Sequence, residues 1–238
     1  PATAGAAEAR VANVSGQVIE SAPIRGKDAT AGTELTVDAN GQNTALRAAG
    51  RLSRAGDGAR LRLDRLSATR GNTTIATTGP ANIAYAGGTV TIDRLALNAG
   101  GGTATVSGSA GERLDLTADL RAIPLSLAEL AAPGLNLSGT LAGNARITGT
   151  PSAPTGNYQL TITRLSTPDV ARAGAGPFDI TARGDLAGGR ATVRSEIKAR
   201  FLQALTINGS VPLGAGALDL AIRGGLDLGI LNPMLATT

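Results

Sequence analysis

Val90-Thr91-Ile92-Asp93 sets aliphatic and polar residues at alternate positions, and the same two-residue period recurs in Leu61-Arg62-Leu63-Asp64, Leu114-Asp115-Leu116-Thr117 and Leu160-Thr161-Ile162-Thr163. In an extended chain successive side chains point to opposite faces, so this period marks a strand with one dry face and one wet face. Threonine often stands opposite the aliphatic residues, where a β-branched polar side chain suits the wet side of a pleated sheet. Gly, Asn, Ser and Pro bound the runs, and 33 Gly and 11 Pro in 238 residues supply many turns. The alternation predicts strands near 11–20, 33–38, 43–53, 59–67, 73–78, 81–86, 89–97, 103–109, 113–121, 134–142, 144–149, 157–166, 177–184, 189–197, 203–209 and 217–223. Two or three of these are marginal, which leaves about 14 and makes nearly the whole chain antiparallel sheet.

Two segments leave the pattern. Pro124 to Pro133 and Leu226 to Leu235 each start as a strand and then place leucines at helical spacing, which predicts one or two short helical turns. They align with each other at an offset of 101, with Leu125, Leu127 and Leu130 falling on Leu226, Leu228 and Leu231. The same offset carries Gly87-Gly88 onto Gly188-Gly189, Ile92 onto Val193, and Val106-Ser107-Gly108-Ser109 onto Ile207-Asn208-Gly209-Ser210. Leu61 with Arg65-Leu66-Ser67 matches Leu160 with Arg164-Leu165-Ser166 at an offset of 99, Gly79-Pro80 matches Gly176-Pro177 at 97, and Leu114-Asp115-Leu116 matches Leu218-Asp219-Leu220 at 104. Insertions therefore fall in turns, which is how a modular array lengthens and a closed barrel or sandwich does not. The expected division is residues 1–58 as N-terminal strands of the same groove, 59–135 as a first β-groove repeat and 136–238 as a second.

Composition excludes much chemistry. Cysteine and histidine are absent, which removes thiolate and Ser-His-Asp nucleophiles, disulfides and nearly all zinc sites. The net charge of +4 comes from arginines spread along the chain beside Asp or Thr, with no basic run and no interleaved aromatics, so nucleic acid is not the expected partner. No run of 18 apolar residues occurs and no signal peptide begins at Pro1, so the sequence reads as a soluble piece of something longer. Asp115 and Asp119 share a strand face, but four residues of extended chain separate them by about 13 Å, too far for paired-carboxylate glycoside hydrolysis. Ser109 lacks the first glycine of a nucleophile elbow and any histidine to serve it. Gly87-Gly88, Gly100-Gly101-Gly102 and Gly188-Gly189 precede strands and read as hairpin turns, not phosphate cradles. No catalytic residue, metal ligand or cofactor is expected.

The apolar content is 42%, yet only Tyr85, Tyr158, Phe178 and Phe201 are aromatic, so large rings do not fill a thick core. Stacked at about 4.8 Å per strand, ~14 strands extend roughly 65 Å and align their aliphatic faces into one strip, far more than a lone globule leaves exposed. If the sheet curls, the strip becomes a groove for a ligand with long apolar parts. Candidate lining residues are Leu63 with Ile162, Ile92 with Val193, Val106 with Ile207, Leu116 with Leu220, and Leu137 and Ile147. The plainer alternative is that these residues pack against one another in a dry core. Arg65, Arg94 and Arg164 each precede a Leu where a strand is expected to end; a guanidinium fork at a groove rim suits a lipid phosphate, and the plainer reading is a solvated face paired with Asp64 or Asp93.

The stretch Leu137-Ser138-Gly139-Thr140-Leu141-Ala142-Gly143-Asn144-Ala145-Arg146-Ile147-Thr148-Gly149-Thr150-Pro151-Ser152-Ala153-Pro154 resembles the G-T-L-x-G-x-A-x-[VI]-x-G-T-x-x-x-P element of the TamB family, within the AsmA-like, repeating-β-groove superfamily. The Gly188-Gly189 hairpin, Ile207 to Leu213, Leu218-Asp219-Leu220 and Leu226 to Asn232 resemble the segment C-terminal to that element in the family. The resemblance covers residues 50–238 and extends to 1–49 only in style. It implies a U-shaped, taco-like sheet crossing the Gram-negative periplasm, an inner-membrane anchor, and a TamA-type outer-membrane barrel partner for the full-length protein. The implied activity is non-catalytic phospholipid transfer between the membranes, linked to outer-membrane assembly. The sequence carries no such anchor and no evident barrel-docking segment, and so reads as an internal fragment. Moving a 16-carbon chain into water costs more than about 10 kcal/mol at ~0.8 kcal/mol per CH₂, which an aliphatic groove offsets without a single deep trap. Two other readings stay open, a chaperone-like scaffold offering sheet edges to outer-membrane strands and an adhesive or carbohydrate-binding β-solenoid.

Overall fold

A computed structural model describes residues 33–225 apart from 42, 72, 131, 133 and 201. The strand expected near 11–20, residues 1–32 of the proposed 1–58 segment and the helical turn expected at Leu226 to Leu235 lie outside the described residues. The chain forms fourteen strands: β1 (Thr33–Gly41), β2 (Thr44–Ala55), β3 (Gly58–Arg70), β4 (Thr73–Thr77), β5 (Ala81–Ala86), β6 (Thr89–Ala99), β7 (Gly102–Ala110), β8 (Leu114–Pro124), β9 (Ser138–Thr150), β10 (Ala153–Ser166), β11 (Phe178–Ala187), β12 (Arg190–Ala199), β13 (Leu202–Pro212) and β14 (Asp219–Arg223). They belong to one antiparallel sheet in which sequence neighbours are sheet neighbours, except that β4 and β5 share one lane between β3 and β6. Helix is confined, among the described residues, to a 3₁₀ turn at Leu125–Leu130 and a single-turn α1 at Pro168–Arg172.

The sequence expectation of two strands at 134–142 and 144–149 gives way to the single strand β9. Gly143 punctuates the sequence there but not the sheet: it lies opposite Leu160, and a Cβ on it would come 2.3 Å from the Gln159 carbonyl oxygen and 2.7 Å from the Leu160 side chain. Its role is close approach, not a turn. The helical expectation at Pro124 to Pro133 is met by the 3₁₀ turn, whose Glu129 carboxylate accepts hydrogen bonds from the backbone N–H of Gly134 at 2.8 Å and of Asn136. The glycine pairs 87–88 and 188–189 are two-residue hairpin turns with both residues at positive φ, the geometry that matches strand twist. Strand alternation does not predict helix α1, although Thr167-Pro168-Asp169 is a helix start: Thr167 Oγ1 accepts from Val170 N–H at 3.2 Å and Pro168 opens the turn.

The chain divides into two compact units, residues 1–116 and 117–238. In the first, directly opposed residues form rows such as Leu52–Leu61–Ile83–Ile92–Gly108 and Leu46–Ala68–Ile75–Ala99–Gly102. In the second, Leu141–Ile162–Ile180–Ile197–Leu205 and Gly143–Leu160–Ala182–Ser195–Ile207–Ile222 do the same. Opposed residues of an antiparallel pair share a face, so each unit has a face that is almost wholly aliphatic or glycine. The other face carries rows such as Asp38–Arg47–Ser67 in the first unit and Asn144–Gln159–Arg183–Arg194–Asn208 in the second.

Candidate functional site

Alternation alone would not keep those faces clean, because the aliphatic spacing changes parity inside several strands. In β3 the apolar positions run Leu61, Leu63, Leu66; in β6 Val90, Ile92, Leu95; in β10 Leu160, Ile162, Leu165. Each three-residue step faces a two-residue step on the neighbouring strand: Gly50 to Ala48, Gly108 to Val106, and Ile180 to Phe178. One residue is therefore extra, a β-bulge, and it returns the next leucine to the aliphatic face. The extra positions are Asp64-Arg65, Asp93-Arg94 and Thr163-Arg164, with Arg164 at φ 57. The expectation that these arginines mark strand ends is thus corrected: they lie within strands, at bulges. Asp64 pairs with Arg62 at 3.0 Å rather than with Arg65.

The bulges of β3 and β6 both face the break between β4 and β5, at Thr78 to Pro80. Backbone groups released by this irregularity find other partners. Leu66 N–H donates to Thr77 Oγ1 at 2.9 Å, and Thr78 N–H to the Ala96 carbonyl at 2.9 Å.

The predicted lining residues other than Leu137 fall on these aliphatic faces. In the first unit Leu63 lies opposite Ala81, Ile92 opposite Ile83 and Val106 opposite Leu95, all on one face. Leu116, also half-buried, sits beside Gly108. In the second unit Ile147 lies opposite Gly156, Ile162 opposite Leu141 and Ile180, Val193 opposite Gly209, Ile207 opposite Ser195 and Ile222, and Leu220 opposite Gly209, again on one face. Leu137 precedes β9 and lies outside any strand. Arg62 and Thr91 stand on the opposite faces of their strands, among exposed residues.

What covers the aliphatic faces is decided by burial. Among the described residues the only buried hydrophobic side chains are Ala81 and Ala99, at 1% and 5% exposure, and no large side chain is fully buried. The strands of each unit make their main contacts with sheet neighbours, and the 3₁₀ turn with β9. Most of the leucine, isoleucine and valine side chains on these faces are half-buried. The dry-core alternative predicts large side chains that are fully buried, and among the described residues there are none.

Aromatic residues contribute little cover. Tyr85 is 53% exposed. Tyr158 lies on the aliphatic face opposite Gly184 and donates its phenol to the Thr192 carbonyl at 3.0 Å. Burial, followed by the Asp185 carboxylate, pushes that phenol above its ordinary pKa.

Two depressions lie away from the aliphatic faces. One, of about 600 Å³, is lined by Thr140, Thr163, Arg164 and the loop around Gly174 to Pro177. The other, of about 420 Å³, opens on the polar face across β10 to β13. Spacing along the chain does not reveal the second, because it depends on which strands pair and in what register. No protein-family model matches the chain, and no curated protein matches it as a relative.

Proposed function

We propose that the aliphatic face of each unit is the wall of an acyl-chain groove, and that the protein is a non-catalytic phospholipid-conducting segment of a periplasmic, TamB-like lipid-transport protein. One observation carries this reading: two-faced sheets whose only buried hydrophobic residues, among those described, are two alanines. An aliphatic face left open to water is unfavourable by about 25 cal/mol per Å², and a lipid tail laid along it removes that term for both partners. The bulges that hold Leu66, Leu95 and Leu165 in phase maintain the face over the full length of β3, β6 and β10, as a conduit needs. Glycines among the aliphatic residues, such as Gly143 and Gly184, support local bending of each sheet towards a curled wall. The face offers aliphatic groups of similar kind throughout, so a lipid moves along it without a specific trap. In the full-length protein, an inner-membrane anchor and a TamA-type barrel complete the proposed route, with a linked part in outer-membrane assembly.

Photo-crosslinking residues at Ile92, Val106, Leu116 and Ile207, with Arg62 and Thr91 as opposite-face controls, test this proposal. The expected result is adducts of phospholipid mass at the first four positions and not at the controls. Equal labelling of both faces, or no lipid adduct at any position, overturns it.

The scaffold reading draws support from β14, which pairs with β13 alone among the described residues and leaves Ile222 63% exposed. It differs in its prediction: an added outer-membrane strand peptide pairs with this edge, and lipid removal leaves that pairing intact.

A further inference from the structure

Arg183 on β11 stands directly opposite Arg194 on β12. Like charges in this position repel, since opposed side chains on one face start only about 5 Å apart at Cβ. The first unit contains the same arrangement, Arg51 opposite Arg62, but there each guanidinium has its own carboxylate: Glu34 at 3.3 Å from Arg51 and Asp64 at 3.0 Å from Arg62. The second unit has no such compensation. The acids two residues along each strand do not supply it: Glu196 on β12 is engaged by Lys198 at 3.2 Å, Asp185 on β11 makes no ion pair with Arg183, and neither Arg183 nor Arg194 forms an ion pair or side-chain hydrogen bond among the described residues.

The two arginines line the depression of about 420 Å³ on the polar face, with Gln159, Thr181, Glu196, Thr206 and Asn208 around them. Gln159 lies opposite Arg183 and Asn208 opposite Arg194, so the pair is flanked in its own row by amides, and the next row runs Thr181, Glu196, Thr206. Two guanidinium forks flanked by amides and hydroxyls, with the one carboxylate of the lining, Glu196, held by Lys198, match a doubly charged tetrahedral oxyanion, which takes hydrogen bonds from several directions and cancels the repulsion. We propose that Arg183 and Arg194 form a binding site for a phosphate-type oxyanion. The site is on the face opposite the acyl-chain wall and stands independently of the lipid-conduit reading.

The test is thermal unfolding of the whole chain, followed by circular dichroism, in rising inorganic phosphate against chloride at matched ionic strength, repeated with sn-glycerol 3-phosphate. The expected result is a saturable rise in Tm specific to phosphate. In Arg183→Gln and Arg194→Gln half-saturation weakens by about tenfold, the loss of charge-assisted hydrogen bonds from one fork, while Arg51→Gln responds like the parent. The Arg183→Gln/Arg194→Gln double variant matches or exceeds the parent's Tm in chloride, because it removes the repulsion, so failure to fold does not explain its lost response. Tighter binding of glycerol 3-phosphate than of inorganic phosphate assigns the site to a phosphomonoester headgroup of the phosphatidic acid type; the reverse order assigns it to a free anion. A phosphate response absent in the parent, or undiminished in both single variants, overturns the proposal.

Discussion

The Tyr158 ring lies against Gly184 of the adjoining strand, so close that a Cβ on that glycine would sit 3.0 Å from Tyr158 Cε1 and 1.7 Å from the Thr192 carbonyl oxygen. The ring occupies the space a side chain would take, and its hydroxyl satisfies a carbonyl of the next strand at 3.0 Å. One aromatic residue thereby links β10, β11 and β12.

Gly184→Val is expected to destabilise the second unit by about 1–3 kcal/mol, because its side chain meets backbone that cannot retreat without breaking the ladder. Gly188→Ala, in the hairpin turn with open space around it, costs less at its crowding and more at its positive φ of 56°. Denaturant midpoints for the two variants, with the slopes compared, separate crowding within a strand from strain in a turn.

Tyr158→Phe is expected to cost about 1 kcal/mol through the lost hydrogen bond. It also changes the alkaline limb. The folded phenol has a raised pKa, so its contribution is fully present below the unfolded value of 10.0 and is lost as pH rises through the folded value. The parent therefore loses stability more steeply above pH 10.0 than Tyr158→Phe does. Identical alkaline limbs in the two proteins would count against this role.

Arg94 tests the bulge. Replacement by Ala keeps the residue count and is expected to change stability by within about 0.5 kcal/mol, as for an exposed surface position. Deletion forces Leu95 and Leu97 on to the polar face or shifts β6 against β7, with a cost above about 3 kcal/mol or loss of cooperative unfolding. Equal effects of the two changes would show that the side chain, not the extra position, matters.

Thr77 tests the repair beside the same irregularity. Thr77→Val retains shape but leaves Leu66 N–H without its acceptor, for an expected loss of about 1–3 kcal/mol, whereas Thr77→Ser restores most of it. Amide hydrogen exchange at Leu66 is the local readout, accelerated in the valine variant and near normal in the serine one.

Strand positions are legible in the sequence because alternation at Val90 and Ile92, or Leu160 and Ile162, reports directly on a half-buried extended chain. The candidate lining residues follow from the same signal, and register places the strand-borne ones on the aliphatic face of their own unit. The bulges are visible only as oddities: Leu63 and Leu66 differ in parity, which reads as a strand end until the neighbouring strand shows Gly50 and Ala48 keeping pace with them. Gly143 misleads because glycine marks both turns and close approach, and only the Gln159 backbone distinguishes them. Arg183 and Arg194 are legible as a facing pair once Gly188-Gly189 is read as a two-residue hairpin, which sets Ala187 opposite Arg190; the depression around them is not, because β10 and β13 complete it.

The broken lane of β4 and β5 bears on how such a protein changes length. The internal repeat that carries β3 on to β10 and Gly79-Pro80 on to Gly176-Pro177 puts β4 in one copy where the other has α1. A seam that tolerates a strand in one copy and a helical turn in the other is a natural port for new sequence. Epitopes, tethers or whole modules grafted between Thr78 and Pro80 should leave the flanking ladders undisturbed.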